Sequence, residues 1–563
     1  MDAIVQSSGV DDSCEESSRV RSARILQKAQ NMGFWWHSPR QVAMHLGVSD
    51  NTLRFQLRRL EELVRDSELP PAIVRFLESP EGIQFLHILL VALHLVFVLA
   101  NDGGLRSVGW FLRLTGLDKF IASSYGAQQS FAAELETKLG EYGREEEAHL
   151  AAAMPHQDVS LCLDETFHPQ ICLVGIEPVS NYLLLEQYAS QRDADTWQQC
   201  LDERLGTWPV TVCQVTSDEA KALVALAEQR LGAHHSPDLF HVQHDTVQAT
   251  SLVLAGQTRR AHEAVADAER RAVQQRGELA ACQEQCPQSA QIAEFQQQLE
   301  QTVASEAAAR QRLADCQQRQ QQATEARHGL SHDYHPIDLE TGQPVTAAEI
   351  VQRLGGHFDR LDEIARGANL SVNAKEKLAK ARRLLTAMQS TIAFFWATVL
   401  ERLAAWQLAE TVAKWLREEL IPAVYLERVA EKAGTSAERK RLRTRASEIL
   451  ARARSPDGGW GTLSDGERMD LMAKARECAN LFQRSSSCVE GRNGQLSLRH
   501  HSLHRLMPRK LAALRVLHNF MIERPDGTTP AERFFGARPK QVFAWLLRQL
   551  PLPGLPRPHR AAD

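Results

Sequence analysis

A chain of 563 residues, 43% hydrophobic and 24% charged, is too long for one core and too apolar to be disordered throughout. Its formal net charge of -5 excludes a general polycation, so any nucleic-acid binding must come from local basic faces. Ten scattered cysteines, with Cys282 and Cys286 followed by no second pair, argue against a zinc ribbon and suit a reducing cytosol.

In chain order, residues 1–20 are polar and acidic and read as a disordered tail. Residues 21–66 contain a compact bihelical unit: Ser38-Pro39 starts one helix, Leu46-Gly47-Val48 turns, and Ser49 caps a second carrying Arg54, Arg58 and Arg59. That layout fits a DNA-binding helix-turn-helix, with an ordinary helical hairpin as the plainer reading. Within residues 67–157 the apolar run from Phe85 to Ala100 is short for a membrane span, contains His87 and His94, and predicts a buried helix. Leu105 to Leu114, a turn at Gly116 and a helix from Asp118 through Tyr125 would repeat the bihelical layout, for packing or for DNA reading.

The β signals are confined to residues 158–245. Strands are predicted over 158–164, 171–176 and 182–185, then a helix near 195–205, a strand over 210–216, a helix over 219–231 and a last strand over 237–242. Three antiparallel strands followed by helix, strand, helix, strand is the order of an RNase H-like mixed sheet. Residues 246–484, rich in Ala, Gln, Glu and Arg, predict a large all-α insertion. It begins with a helical pair broken near Pro287, partly coiled coil in character, and later helices are interrupted at 455–461. Residues 485–550 form a last helical block before a Pro-rich tail at 551–563. The fold class is therefore α+β or α/β, multidomain.

Asp164 and Asp218 both close predicted strands, and strands one and four would be neighbours. Paired carboxylates repel unless a cation intervenes, and hard divalent cations prefer such oxygen ligands. Taken singly, an acid at a strand end is also a common turn residue. Glu490 follows a serine run that signals a helix start, where the helix dipole alone would favour it. From Gly491 to Ile522 there are six Arg/Lys, four His and no acid, a run that includes Arg505, Arg509 and Lys510 and suits a polyanion. Asp238, Asp245 and Glu165 are rival ligands, placed lower because the first two end no strand beside Asp164 and the third points to the other face.

The stretches Leu161-Cys-Leu-Asp164-Glu-Thr, Thr216-Ser-Asp218 and Cys488-Val-Glu490-Gly-Arg-Asn493 with Arg499, and the tail from Asn519 to Phe535, resemble bacterial insertion-sequence DDE transposases. The resemblance implies that Asp164, Asp218 and Glu490 hold two Mg²⁺ or Mn²⁺ ions. It implies that His241, in the strand after Asp218, with Arg492, Asn493 and Arg499, positions DNA. It further implies a cytoplasmic, nucleoid-associated enzyme, without a membrane segment, that acts as a homodimer on terminal inverted repeats and target DNA. The long gap from Asp218 to Glu490 departs from the compact version of that fold and matches relatives carrying a helical insertion. A catalytically silent DNA-binding regulator and a helical assembly scaffold are the alternatives.

Overall fold

The computed structural model describes residues 17–32, 38–101, 103–454, 460–503 and 506–556. Most of the acidic N-terminal stretch, the break at 455–459, Arg505 and the end of the Pro-rich tail therefore lie outside the described residues. The chain is mostly helical around one small mixed sheet of five strands.

The sheet comprises β1 (Gln157–Phe167), β2 (Ile171–Glu177), β3 (Tyr182–Ala189), β4 (Val210–Ser217) and β5 (His234–Pro237), in the order β3-β2-β1-β4-β5. The first three are antiparallel through short turns, whereas β4 and β5 run parallel to β1. A parallel neighbour needs a crossover. These are α8 (Ala194–Leu205) before β4 and, before β5, α9 (Lys221–Ala225) with the π-helical turn Leu226–Arg230.

Two strand ends differ from expectation. β1 does not stop at Asp164: it continues to Phe167, with Asp164 opposite Val174, because pairing with β2 holds the polar end extended. The last strand is His234–Pro237 rather than 237–242. Asp238 instead accepts a hydrogen bond from the Phe240 amide at 2.9 Å and starts a helix, so Leu239 and Val242 are successive positions on a helical face.

At the N-terminus, α1 (Ser18–Asn31), α2 (Pro39–His45) and α3 (Asp50–Asp66) share a small core of Ala29, Val42, Ala43 and Leu53. Gly47 at φ +68° makes the turn, and the Ser49 hydroxyl accepts from the Thr52 amide at 3.0 Å. Next come α4 (Pro71–Leu77), α5 (Pro80–Leu93, running into the π-helical turn His94–Ala100), α6 (Leu105–Leu114) and α7 (Tyr125–Ala153). The expected second bihelical unit does not form. After Gly116 there is only a 3₁₀ turn, Leu117–Lys119, and Leu117, Phe120 and Ile121 are spent as core anchors.

The insertion begins with α10 (Leu239–Gln285) and α11 (Gln291–Asp333), with Pro287 in the turn as expected. The pair is antiparallel: Arg327 donates to Thr250, Thr258 to Gln320, and Arg310 pairs with Glu269 at 2.8 Å. Then follow α12 (Ala347–Gly367), α13 (Val372–Arg383), α14 (Leu385–Ala405), α15 (Glu410–Trp415), α16 (Ile421–Lys432), α17 (Ser436–Ala453) and α18 (Asp465–Asn480). They close over a hydrophobic core of their own around Tyr334, Phe358, Phe395, Tyr425 and Phe482. The chain then returns through α19 (Ser487–Leu503), α20 (Pro508–Met521), α21 (Pro530–Phe535) and α22 (Val542–Gln549) to the core built on the sheet. The stretches Pro80–Ala100 and Val372–Ala405 are long and apolar enough to cross a membrane by length and composition. Each also buries side chains in a protein core, Leu86 and Leu90 in the first, Ile392 and Phe395 in the second.

Candidate active site

Side chains alternate along β1, so Ser160, Cys162 and Asp164 share one face. The parallel register pairs Ser160 with Gln214 and Cys162 with Thr216. Asp164 lies one pleat beyond the last of these pairs, and Asp218 follows directly on the last residue of β4. Segment 483–493 covers that face: Gln214 donates to the Gln483 carbonyl at 3.0 Å, and the Cys162 thiol lies 3.6 Å from the Ser485 carbonyl. Glu490 and Asn493, almost one turn apart on α19, arrive over β1.

Asn493 makes the direct link, donating from Nδ2 to Asp164 Oδ2 at 2.7 Å. The other Asp164 oxygen accepts the Glu165 amide at 2.9 Å. Burial, followed by the charge of Glu490, pushes the Asp164 carboxyl up to about 7; Glu165 and Asp218 add to the effect. These charges are thus held close enough to feel each other. The Asp218 carboxylate accepts the Ala220 amide at 3.0 Å, which fixes it at the mouth of β4.

His241 is on the first turn of α10, not on a strand, and its Nε2 lies 3.8 Å from Glu490 and 3.9 Å from Asp238. Asp238, His241 and Glu490 bring one ligand atom each within 4.8 Å of one another, an arrangement that could hold a metal ion. Asp238, placed below Asp164, Asp218 and Glu490 on sequence because it ends no strand beside Asp164, is brought next to Glu490 by the helix start. It follows β5 directly, is buried, and accepts the Ser486 amide at 3.2 Å as well as the Ser486 hydroxyl. The signal was there: an acid three residues before His241 and two before the amide it caps. The other rivals are engaged, Glu165 with Arg192 at 2.6 Å and Asp245 with Lys380 at 3.1 Å.

The fit of the carboxylates to hard cations rests on more than their number. Asn493 Oδ1 is buried and has no hydrogen-bond partner, beside a carboxylate that is costly to ionise. Oxygen donors of this kind suit Mg²⁺ or Mn²⁺.

The basic residues divide. Arg54 and Arg58 lie on the outer face of α3, their side chains 56% and 82% exposed. Arg59 points inward to Glu78, bidentate at 2.7 and 2.9 Å. Arg492 is buried in a bidentate pair with Glu186 at 2.6 and 2.9 Å, so it ties α19 to β3 and offers DNA nothing. Arg499 donates to the carbonyls of Leu99 and Ala100, and Lys510 reaches the Val98 carbonyl at 3.4 Å. Arg509 pairs with Glu136 at 2.9 Å. The run after Gly491 is thus largely a set of anchors for the C-terminal helices, cations placed on helix C-terminal carbonyls and acids of α7. Arg505 lies outside the described residues.

A family of unknown function, DUF6399, matches residues 416–562, about a quarter of the chain. The matched span contains Glu490 and Asn493 but neither Asp164 nor Asp218. No curated protein and no solved structure matches the chain.

Proposed function

We propose that the chain is a DDE-type transposase with an RNase H-like catalytic core, cutting DNA at element ends and joining the freed 3′ end to a target. One observation carries this reading. Asp164 on β1 and Asp218 directly after β4 belong to adjacent parallel strands in a 3-2-1-4-5 sheet, α19 is tied to Asp164 through Asn493, and the charges of Glu490 and Asp218 both act on Asp164. Asp164, Asp218 and Glu490 would hold two divalent ions, which when bound supply a Lewis acid and an activated water for phosphodiester chemistry. The protein's own part is positional. Asn493 fixes the Asp164 carboxylate, and Ser486 and Asp238 fix the start of α19. His241 faces Glu490 with 37% of its side chain exposed, in place to orient a phosphate. Arg54 and Arg58 on α3 are the proposed contacts to double-stranded DNA of the terminal repeats, and the enzyme would act as a cytoplasmic homodimer.

The test is strand cleavage of DNA carrying the element's ends with Mg²⁺, Mn²⁺ or EDTA. Wild type should cleave only with metal, and Asp164→Asn, Asp218→Asn and Glu490→Gln should each lose at least about a hundredfold while still binding DNA. Binding without cleavage by wild type would favour the regulator instead. Cleavage retained by Glu490→Gln would shift the third ligand to Asp238.

A further inference from the structure

The sheet has a second chemical feature at the opposite end of β1. A cavity of about 1110 Å³ opens between the first residues of β1, the β2–β3 turn, α16, α17 and the segment around 524–534. Its wall carries Arg428, Lys432, Arg443, Arg524 and Arg533. None of these five has a carboxylate within ion-pair distance among the described residues. Three are held by neutral backbone instead. Arg428 donates to the carbonyls of Ala479 and Phe482, Arg524 to Val179, and Arg533 to Ser180 and Thr528. Lys432, one helical turn after Arg428 on α16, makes no hydrogen bond among the described residues.

The acids of the wall keep their charge but make their direct contacts elsewhere. Glu177 is used by the amides of Val179 and Ser180 at 2.9 and 2.7 Å. Asp158 and Glu477 both serve Arg402, and Asp526 serves Thr528 at 2.9 Å. Glu431 alone is uncommitted. Burial holds Arg428 and Arg533 below their usual values; Tyr425, Glu177 and Glu431 pull Arg428 back up, while Arg524 lowers Arg533 against Asp526, Glu532 and Glu177. Cations crowded in one cavity, three of them held by backbone carbonyls and none in a direct ion pair among the described residues, make a preorganised anion site. Arginine forks held by backbone suit a planar or tetrahedral oxyanion, and the volume exceeds that of a single small anion.

We propose that this cavity binds a phosphate-bearing ligand, gripped by Arg428, Lys432, Arg524 and Arg533. The phosphate belongs either to a nucleic-acid backbone or to a free phosphate compound. Ser160 lines the cavity and precedes Asp164 by four residues on the same face, so the two sites lie roughly 13 Å apart along one strand. The proposal does not depend on cleavage.

The test uses the full chain, Lys432→Gln and Lys432→Gln/Arg524→Gln, two changes in the open part of the wall. Inorganic pyrophosphate binding is followed by calorimetry and single-stranded oligonucleotide binding by anisotropy across a salt series. Wild type should bind one pyrophosphate, weakened at least tenfold in the double variant, with an unchanged melting temperature in the absence of ligand. If the natural source is a backbone, the oligonucleotide displaces pyrophosphate and the double variant loses about one to two units of salt slope. If it is a free phosphate compound, pyrophosphate binds and the oligonucleotide does not compete. Binding of both probes that is equal in wild type and the variants, or absent from all, overturns the proposal.

Discussion

At the scale of single residues, Asp164 concentrates the electrostatics. Its carboxyl is pushed up to about 7 from an ordinary 3.8, so between these values the folded chain keeps a proton that the unfolded chain has lost. Stability must therefore fall as pH rises through that window. Without divalent ions, Asp164→Asn should be more stable than wild type at pH 8 by ~1–3 kcal/mol and indistinguishable from it near pH 3.5. Thermal melts across pH check this, and Mn²⁺ should stabilise wild type at pH 8 while leaving the variant unmoved. Arg492 makes the opposite case. Arg492→Leu strands the buried Glu186 carboxylate and should cost about 3–5 kcal/mol in denaturant unfolding. Sequence made Asp164 visible through its apolar alternation, but it gave Arg492 and Arg499 the look of DNA ligands. Partners that lie hundreds of positions away, Glu186 and the carbonyls of Leu99 and Ala100, cannot be seen in a local pattern.

At the scale of elements, α7, α8, β3 and α20 are fastened by one buried ion network. Glu147 accepts from Tyr182 at 2.6 Å and faces Arg515 at 3.3 Å, with Arg204 also on its carboxylate. Burial raises the Glu147 pKa, but Arg515 and Arg204 outweigh it and hold the carboxyl below its usual 4.5. A depressed acid stabilises above its unfolded value and loses that contribution as pH falls through the folded one. Glu147→Gln should thus destabilise by ~3–5 kcal/mol at neutral pH, and the difference from wild type should shrink below about pH 4. Element types were legible from alternation in β1, from an unbroken apolar run in β2, and from composition with a lone Pro287 in the pair α10 and α11. They failed where one residue decides the outcome. Asp238 turns an apparent strand into a helix start, and the core-seeking Phe120 and Ile121 suppress a helix that the turn at Gly116 suggested.

At the scale of the molecule, the helical insertion leaves and rejoins the sheet at one point. The Leu239 amide donates to the Arg484 carbonyl at 2.9 Å, and Ser486 donates to Asp238. Its first two helices extend the chain by roughly 70 Å, and no residue from Val273 to Gln322 is buried. Replacing residues 276–304 by a short turn should therefore leave the melting temperature within about 2 °C, as circular dichroism would read it. Activity on DNA, measured beside it, would tell whether the arm serves the reaction.

The same closure has a consequence in time. Ser486 follows its partner Asp238 by 248 positions, so a ribosome adding 5–20 residues per second reaches it roughly 12–50 s later. Throughout that interval the face of β1 and β4 that carries Cys162 and Gln214 has been made but lacks its cover. Nascent chains paused within the insertion should thus hold a finished sheet with one bare side, the state in which this protein most needs a chaperone.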